Sequence, residues 1–197
     1  MTAAVVTTKE RILEAAEEIM LQKSFHSVGL NEILSAVKVP KGSFYHYFQS
    51  KEQFGVELLK HYVAEATEFK HRALLTDEWS DNPLERLIAL FDLSIARLLE
   101  NNCQCGCLVV KLASEIATFS DDMRAVLLRG MREGRDCLQQ AISEGQKKRV
   151  IRRGLDPAMT AAMIQDLWMG ASQRVQVERK VTALREAAAF VRNLLTP

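Results

Sequence analysis

An all-α fold is predicted, with a small N-terminal head of three helices followed by a larger C-terminal helical bundle. Three observations predict it. Apolar residues recur at three- and four-residue intervals through most of the chain. Helix-start signals punctuate these runs. No stretch shows the strict alternation of a half-buried strand. The 197 residues, 48% of them hydrophobic, can bury a sizeable core in one large domain or in a small one plus a medium one. A division into residues 1–52 and 53–197 is expected.

The first helix opens at Thr7-Thr8-Lys9-Glu10, a capping box, and Ile12, Ala16, Ile19 and Met20 give it an apolar stripe. Phe25 is expected to pack beneath it. A second short helix is expected over about 30–37, capped by Gly29, with Ile33, Leu34 and Val37 inward. Lys38-Val39 makes a turn, and Pro40 suits the first turn of a third helix, to about Phe48, where a missing N–H costs nothing. Ser50-Lys51-Glu52-Gln53 is a second capping box and starts a fourth helix, to about Arg72. Asn82-Pro83-Leu84-Glu85 opens a fifth, carrying Leu87, Leu90, Phe91, Ile95, Leu98 and Leu99. A cysteine-rich corner at 101–106 precedes a sixth over about 107–117. Ser120-Asp121-Asp122 begins a long seventh, to roughly Lys148, followed by a basic connection through Arg153. Asp156-Pro157 opens an eighth helix to about Val177, and Thr182 is expected to cap a ninth through Leu195.

Composition excludes several classes. The formal net charge is +1, so the chain is not a general polyelectrolyte for nucleic acid; any such binding must come from local placement of charge. In residues 1–52 six basic and six acidic residues cancel but are segregated: four of the acids lie in the first helix, and none falls between Lys38 and Lys51. No apolar run approaches the roughly 20 residues that span a bilayer, so no membrane partner is expected. Residues 1–8 lack the basic and apolar regions of a secretory signal and are expected to be a short mobile tail. A cytoplasmic location, with its four cysteines mostly reduced, is expected.

Two short helices joined by a tight turn make a helix-turn-helix arrangement. Residues 39–54, Val-Pro-Lys-Gly-Ser-Phe-Tyr-His-Tyr-Phe-Gln-Ser-Lys-Glu-Gln-Phe, mix small, hydroxyl-bearing, aromatic and basic side chains within about two turns. A helix that lies in a DNA groove needs that mixture, because one side must bury while the other meets phosphates and base edges. Gly42 lets backbone approach DNA closely. Ser43 can reach a phosphate or a base. Phe44 and Phe48, four apart, are expected to bury. Tyr45, His46 and Tyr47 have polar tips suited to phosphate oxygens. Lys41 and Lys51 are point charges for the DNA backbone, Lys51 also standing at a helix N-terminus that can hold a phosphate. One such helix discriminates too little alone, so a homodimer reading two half-sites of a palindromic double-stranded operator is expected. The last two helices are the expected dimer interface, from the apolar content of Met163, Leu167, Trp168, Leu184, Phe190, Val191 and Leu194.

The run Lys41-Gly42-Ser43-Phe44-Tyr45, with Phe48 and Ser50-Lys51-Glu52 after it, resembles the DNA-binding signature of the TetR family of one-component repressors. The likeness covers residues 8–56, and the remaining helical pattern is similar to that family's regulatory domain. It implies a transcriptional repressor answering a small-molecule or electrophile effector, with no enzymatic activity and no cofactor. The family pattern carries His where Tyr47 stands; here His46 and Tyr47 read in the opposite order.

Cys103, Cys105 and Cys107 are spaced by two and Cys137 stands apart, a poor match to zinc-ligand spacing, so no metal is expected. Cys137, among Leu138, Ala141 and Ile142, reads as a buried structural thiol. Cys107 follows Gly106 at a helix start, where the helix end favours the thiolate, and Lys111 four residues on adds positive charge. The run 106–115, with Ser120-Asp121-Asp122-Met123-Arg124, resembles the corresponding run in electrophile- and oxidant-responsive members of the family. That resemblance implies that Cys107 is a sensing cysteine whose modification releases DNA. Cys103 or Cys105 could serve as a resolving thiol. Two alternatives stay open. One is a non-covalent effector in a pocket lined by Phe91, Phe119 and Trp168. The other, more remote, is a thiol-dependent redox enzyme using Cys107; no Cys-x-x-Cys and no partnered histidine supports it.

Overall fold

The computed structural model describes residues 7–103, 106–116 and 118–197. The described residues form α1 (Thr8–Gln22), α2 (Leu30–Ala36), α3 (Lys41–Tyr47), α4 (Lys51–Leu75), α5 (Pro83–Glu100), α6 (Leu108–Ile116), α7 (Asp121–Lys147), α8 (Pro157–Glu178) and α9 (Thr182–Leu195). The all-α expectation holds, and most starts obey their capping signals. Thr7 and Glu10 close a complete capping box, and Asn82, Ser120 and Asp156 each accept a backbone N–H from the first turn they cap.

Four starts or ends differ. Pro40 is the cap of α3 rather than its first residue; either position suits a residue with no N–H to offer. Ser50 accepts from the Gln53 N–H at 3.0 Å, but the Gln53 side chain accepts from the Gln49 N–H instead of closing the box. Thr182 is the first residue of α9, and Val181 caps it without a side-chain bond. α4 runs on to Leu75, past the expected Arg72.

The α2–α3 turn is closed by two bonds, from Val39 N–H to the Leu34 carbonyl (3.0 Å) and from Lys38 N–H to the Ser35 carbonyl (3.3 Å). This is a Schellman cap whose left-handed residue is Lys38, at φ 55°, where glycine is the usual occupant.

α4 and α7 pack along each other in the same direction. Gly55 lies against Met123 and Gly130 against Val63, and Thr67 donates to Glu133 at 3.2 Å. α5, α8 and α9 complete the bundle around Leu74, Leu87, Ile142 and Ile164. Arg86 is buried there, holding the Thr76 carbonyl at 2.8 Å and the carboxylates of Asp77 and Glu144.

The head has no core of its own. Ile12, Ala16, Met20, Phe25, Phe44 and Phe48 share one cluster with Phe54, Leu58 and Leu59 of α4 and Leu108, Leu112 and Ile116 of α6. The expected division after residue 52 therefore falls in the first turn of α4, inside a continuous apolar core.

Candidate nucleic-acid interface and thiol site

Phe44 and Phe48 anchor α3, with ring centroids 4.9 Å apart and each within 5.3 Å of Phe54. Burying that face turns the other outward. Lys41, Gly42, Tyr45 and His46 are exposed, Tyr45 by 57%, and Ser43 and Tyr47 are half-buried. A Cβ placed on Gly42 would meet nothing within 4 Å, so the glycine leaves open surface where a groove would approach. Asn31, Ser35 and Lys38 from α2 and its turn border the same side, along a shallow groove that ends at Lys41. The exposed face thus carries donors and two lysines with no acidic side chain on α3, which suits phosphate contacts.

Lys51 is turned to another task. Its ammonium donates to the carbonyls of His26 (3.3 Å) and Val28 (3.1 Å) and lies 5.2 Å from the Phe25 ring centroid. In the free protein Lys51 thus grips the turn between α1 and α2. Sequence spacing shows no sign of this, because the partners are backbone atoms some 25 residues away.

Among the described residues Cys103, Cys107 and Cys137 are free thiols, and Cys107 is the exposed one of the three. The Cys107 carbonyl accepts the Lys111 N–H at 3.1 Å, so Cys107 stands at the N-terminus of α6 as expected. The Tyr62 hydroxyl of α4 accepts the Leu108 N–H at 3.1 Å. Burial, and after it the neighbouring Cys107 sulfur, push the Tyr62 phenol well above its ordinary range. Nothing in the local sequence singles out Tyr62; it reaches this site only because α4 crosses the start of α6.

Lys111 reaches α1. Its ammonium donates to the Leu21 carbonyl in the last turn of α1, at 2.7 Å. Cys103 is buried, and Cys105 lies outside the described residues. Cys137 is buried as expected, and burial pushes its thiol upward. The three expected pocket residues do not converge. Phe91 and Trp168 stack at 4.5 Å in the bundle, while Phe119 packs edge-on against His26 (4.7 Å) and beside Phe25 (5.9 Å), at the head.

Two further ties join the head to the bundle, and neither is legible in the sequence. Glu115 of α6 accepts the N–H groups of Phe25 (3.1 Å) and His26 (2.9 Å), and its Oε1 lies 2.7 Å from His26 Nδ1. Burial alone would raise the Glu115 carboxyl, but the hydrogen bonds from His26 and Phe25 outweigh it and hold the group below its usual range. Glu17 of α1 meets His61 Nδ1 of α4 at 2.9 Å, with Glu65 at 3.8 Å from Nε2. Burial pushes Glu17 upward. Burial opposes the charge on His61, but its bond to Glu17 and the charges of Glu17, Glu65 and Glu14 overcome this and raise it.

On the far side of the bundle, α8 and α9 present an apolar surface. Met159, Met163 and Leu167 are 66%, 63% and 37% exposed at four-residue spacing, and Phe190 is 59% exposed. Leu184 and Val191, expected in the same interface, are buried inside the protomer.

Comparison with known proteins agrees with this architecture. Residues 12–58 match the model of bacterial regulatory proteins of the tetR family, and residues 83–191 match the tetracyclin repressor-like C-terminal domain. The chain is 35% identical to the HTH-type transcriptional repressor NemR of Escherichia coli over 191 residues, 95% of this chain and 94% of that one. It is 30% identical to the repressor DhaR of a Mycobacterium species over 189 residues, 96% and 92% of the two chains. The crystal structure of reduced Escherichia coli NemR superposes with a TM-score of 0.87, at 33% identity, over 97% of this chain and 99% of that one. No helix among the described residues is long and apolar enough to cross a membrane. The chain belongs to the TetR family, a non-enzymatic family, and is a DNA-binding transcriptional repressor of that type.

Proposed function

We propose that this repressor binds a palindromic operator as a homodimer and is released when an electrophile or oxidant modifies Cys107. The observation that carries the reading is the placement of the thiol. Cys107 is open to reagents, yet it stands at the end of a helix whose other residues hold the reading head. An electrophilic alkene would take the sulfur on one carbon and a solvent proton on the other, and the thiol would give up its own proton. A peroxide-class oxidant would instead leave a sulfenic acid and be reduced to water. The similar Escherichia coli NemR structure is that of a reduced form, which is in keeping with a redox-responsive thiol.

On DNA, Lys41, Gly42, Ser43, Tyr45, His46 and Tyr47 would make the contacts, mostly to the sugar-phosphate backbone. The exposed Met159, Met163, Leu167 and Phe190 would be covered by the second protomer, which also sets the distance between the two α3 helices. Met163→Glu is expected to give a monomer by sedimentation at micromolar concentration; an unchanged dimer would move the interface elsewhere.

The deciding test is fluorescence anisotropy on DNA from upstream of the gene, with reduced protein, then N-ethylmaleimide, alongside Cys107→Ser. Specific binding that alkylation abolishes in wild type but not in Cys107→Ser supports the proposal. Equal release of both proteins refutes the assignment to Cys107, and indifference of both to alkylation refutes a thiol switch altogether.

A further inference from the structure

We infer that Glu115 is the positioning residue through which α6 moves the reading head, by a direct grip on the α1–α2 turn. The inference rests on the Cys107 reading and names its route. Cys107, Lys111 and Glu115 follow one another at four-residue intervals along a single short helix. Each touches a different part of the structure. Cys107 faces Tyr62 of α4, Lys111 holds the last turn of α1, and Glu115 holds the turn that feeds α2.

That turn is held from two sides. Glu115 takes its N–H groups at Phe25 and His26, while Lys51 of α4 takes its carbonyls at His26 and Val28. Any shift of α6 relative to α4 therefore shears the turn. α2 begins two residues beyond Val28, and α3 follows directly from α2.

Leu108, Leu112 and Ile116 are fully buried, so α6 tilts rather than detaches, since detachment would expose three large apolar side chains to water. The bonds at Glu115 last only while their geometry is kept. From Cys107 to Glu115 the helix rises about 12 Å. Bulk wedged between Cys107 and Tyr62 that tilts α6 by about 10° displaces one end by about 2 Å relative to the other, or about 1 Å at the Glu115 end about a central pivot, enough to take both amide bonds beyond hydrogen-bond distance. A non-polar pivot with polar hooks at its ends behaves in this way because apolar contacts slide while hydrogen bonds break.

The test uses full-length Glu115→Ala and Glu115→Gln beside wild type. Operator Kd is measured before and after N-ethylmaleimide, and intact mass confirms the adduct at Cys107. Hydrogen exchange is read at the Phe25 and His26 amides. In wild type the two amides are expected to be protected and to lose protection on alkylation. The ratio of alkylated to reduced Kd should fall at least tenfold in Glu115→Ala and recover partly in Glu115→Gln, whose amide oxygen still accepts. A ratio in Glu115→Ala equal to wild type, or amides that stay protected in alkylated wild type, overturns the inference. If alkylated wild type stays on DNA while its Phe25 and His26 amides are exposed, the thiol-release reading fails and the grip stands.

Discussion

Two glycines of α7 should respond to alanine with opposite signs. Both lie in the interior of a 27-residue helix, where alanine is favoured over glycine by about 0.5–1 kcal/mol. At Gly134 a new Cβ would come within 2.7 Å of the Lys70 ammonium, with the rest of that side chain at 3.6 Å or beyond. The end of a lysine swings aside at little cost, so Gly134→Ala should stabilise by about 0.5–1 kcal/mol, or about 1–4 °C in Tm. At Gly130 the new Cβ would come within 2.7 Å of both Val63 methyls and 3.3 Å of its Cβ. Valine in a helix has one favoured rotamer, and Val63 is 4% exposed, so α4 and α7 must part. Overpacking of this kind costs about 1–3 kcal/mol, which exceeds the propensity gain, so Gly130→Ala should destabilise by up to about 2 kcal/mol. The assay is urea denaturation followed by circular dichroism at one fixed protein concentration, since dimerisation makes stability concentration-dependent. Introducing Val63→Ala should turn Gly130→Ala stabilising, because the methyls it meets are gone. If Gly130→Ala stabilises as much as Gly134→Ala with Val63 intact, α4 and α7 have room between them at this point and the reasoning fails.

Lys38→Gly should raise stability by about 1 kcal/mol, because it relieves a left-handed lysine; no change in thermal midpoint would mean the turn is unstrained. Lys41→Met should lower the slope of log K against log salt by about 0.9 for each phosphate that the lysine neutralises. Lys51→Met should leave that slope unchanged and instead lower the stability of the head. Equal slopes for both variants would contradict the separation of their roles. The Glu17–His61 tie should depend on pH. His61 is raised in the folded state, so its contribution is fully present below its unfolded value near 6.5 and is lost as pH rises through the folded value. Between pH 6 and 8.5 wild type should lose stability relative to His61→Gln; parallel curves would show that His61 gains nothing from Glu17 on folding.

The sequence by itself determined the helices, which face of α3 is exposed and the family. These are local properties. Apolar spacing, capping residues and the Lys41–Tyr45 run act within one or two turns, so they are written in consecutive residues. The same locality placed Cys107 at a helix start and Phe44 and Phe48 on a buried face. It failed wherever a long polar side chain had a choice of distant partners. Lys51 and Lys111 look like free charges in sequence but end on backbone carbonyls of the α1–α2 turn and of α1. Phe119 looks like a bundle residue but packs against the head, and Leu184 and Val191 face inward rather than toward a partner. Glu115, Tyr62 and the Glu17–His61 pair acquire meaning only when helices some 44 to 90 residues apart are brought together. Side-chain type and spacing decide which face of a helix is buried; only tertiary packing decides what that face, and every hydrogen-bonding group at its edge, will meet.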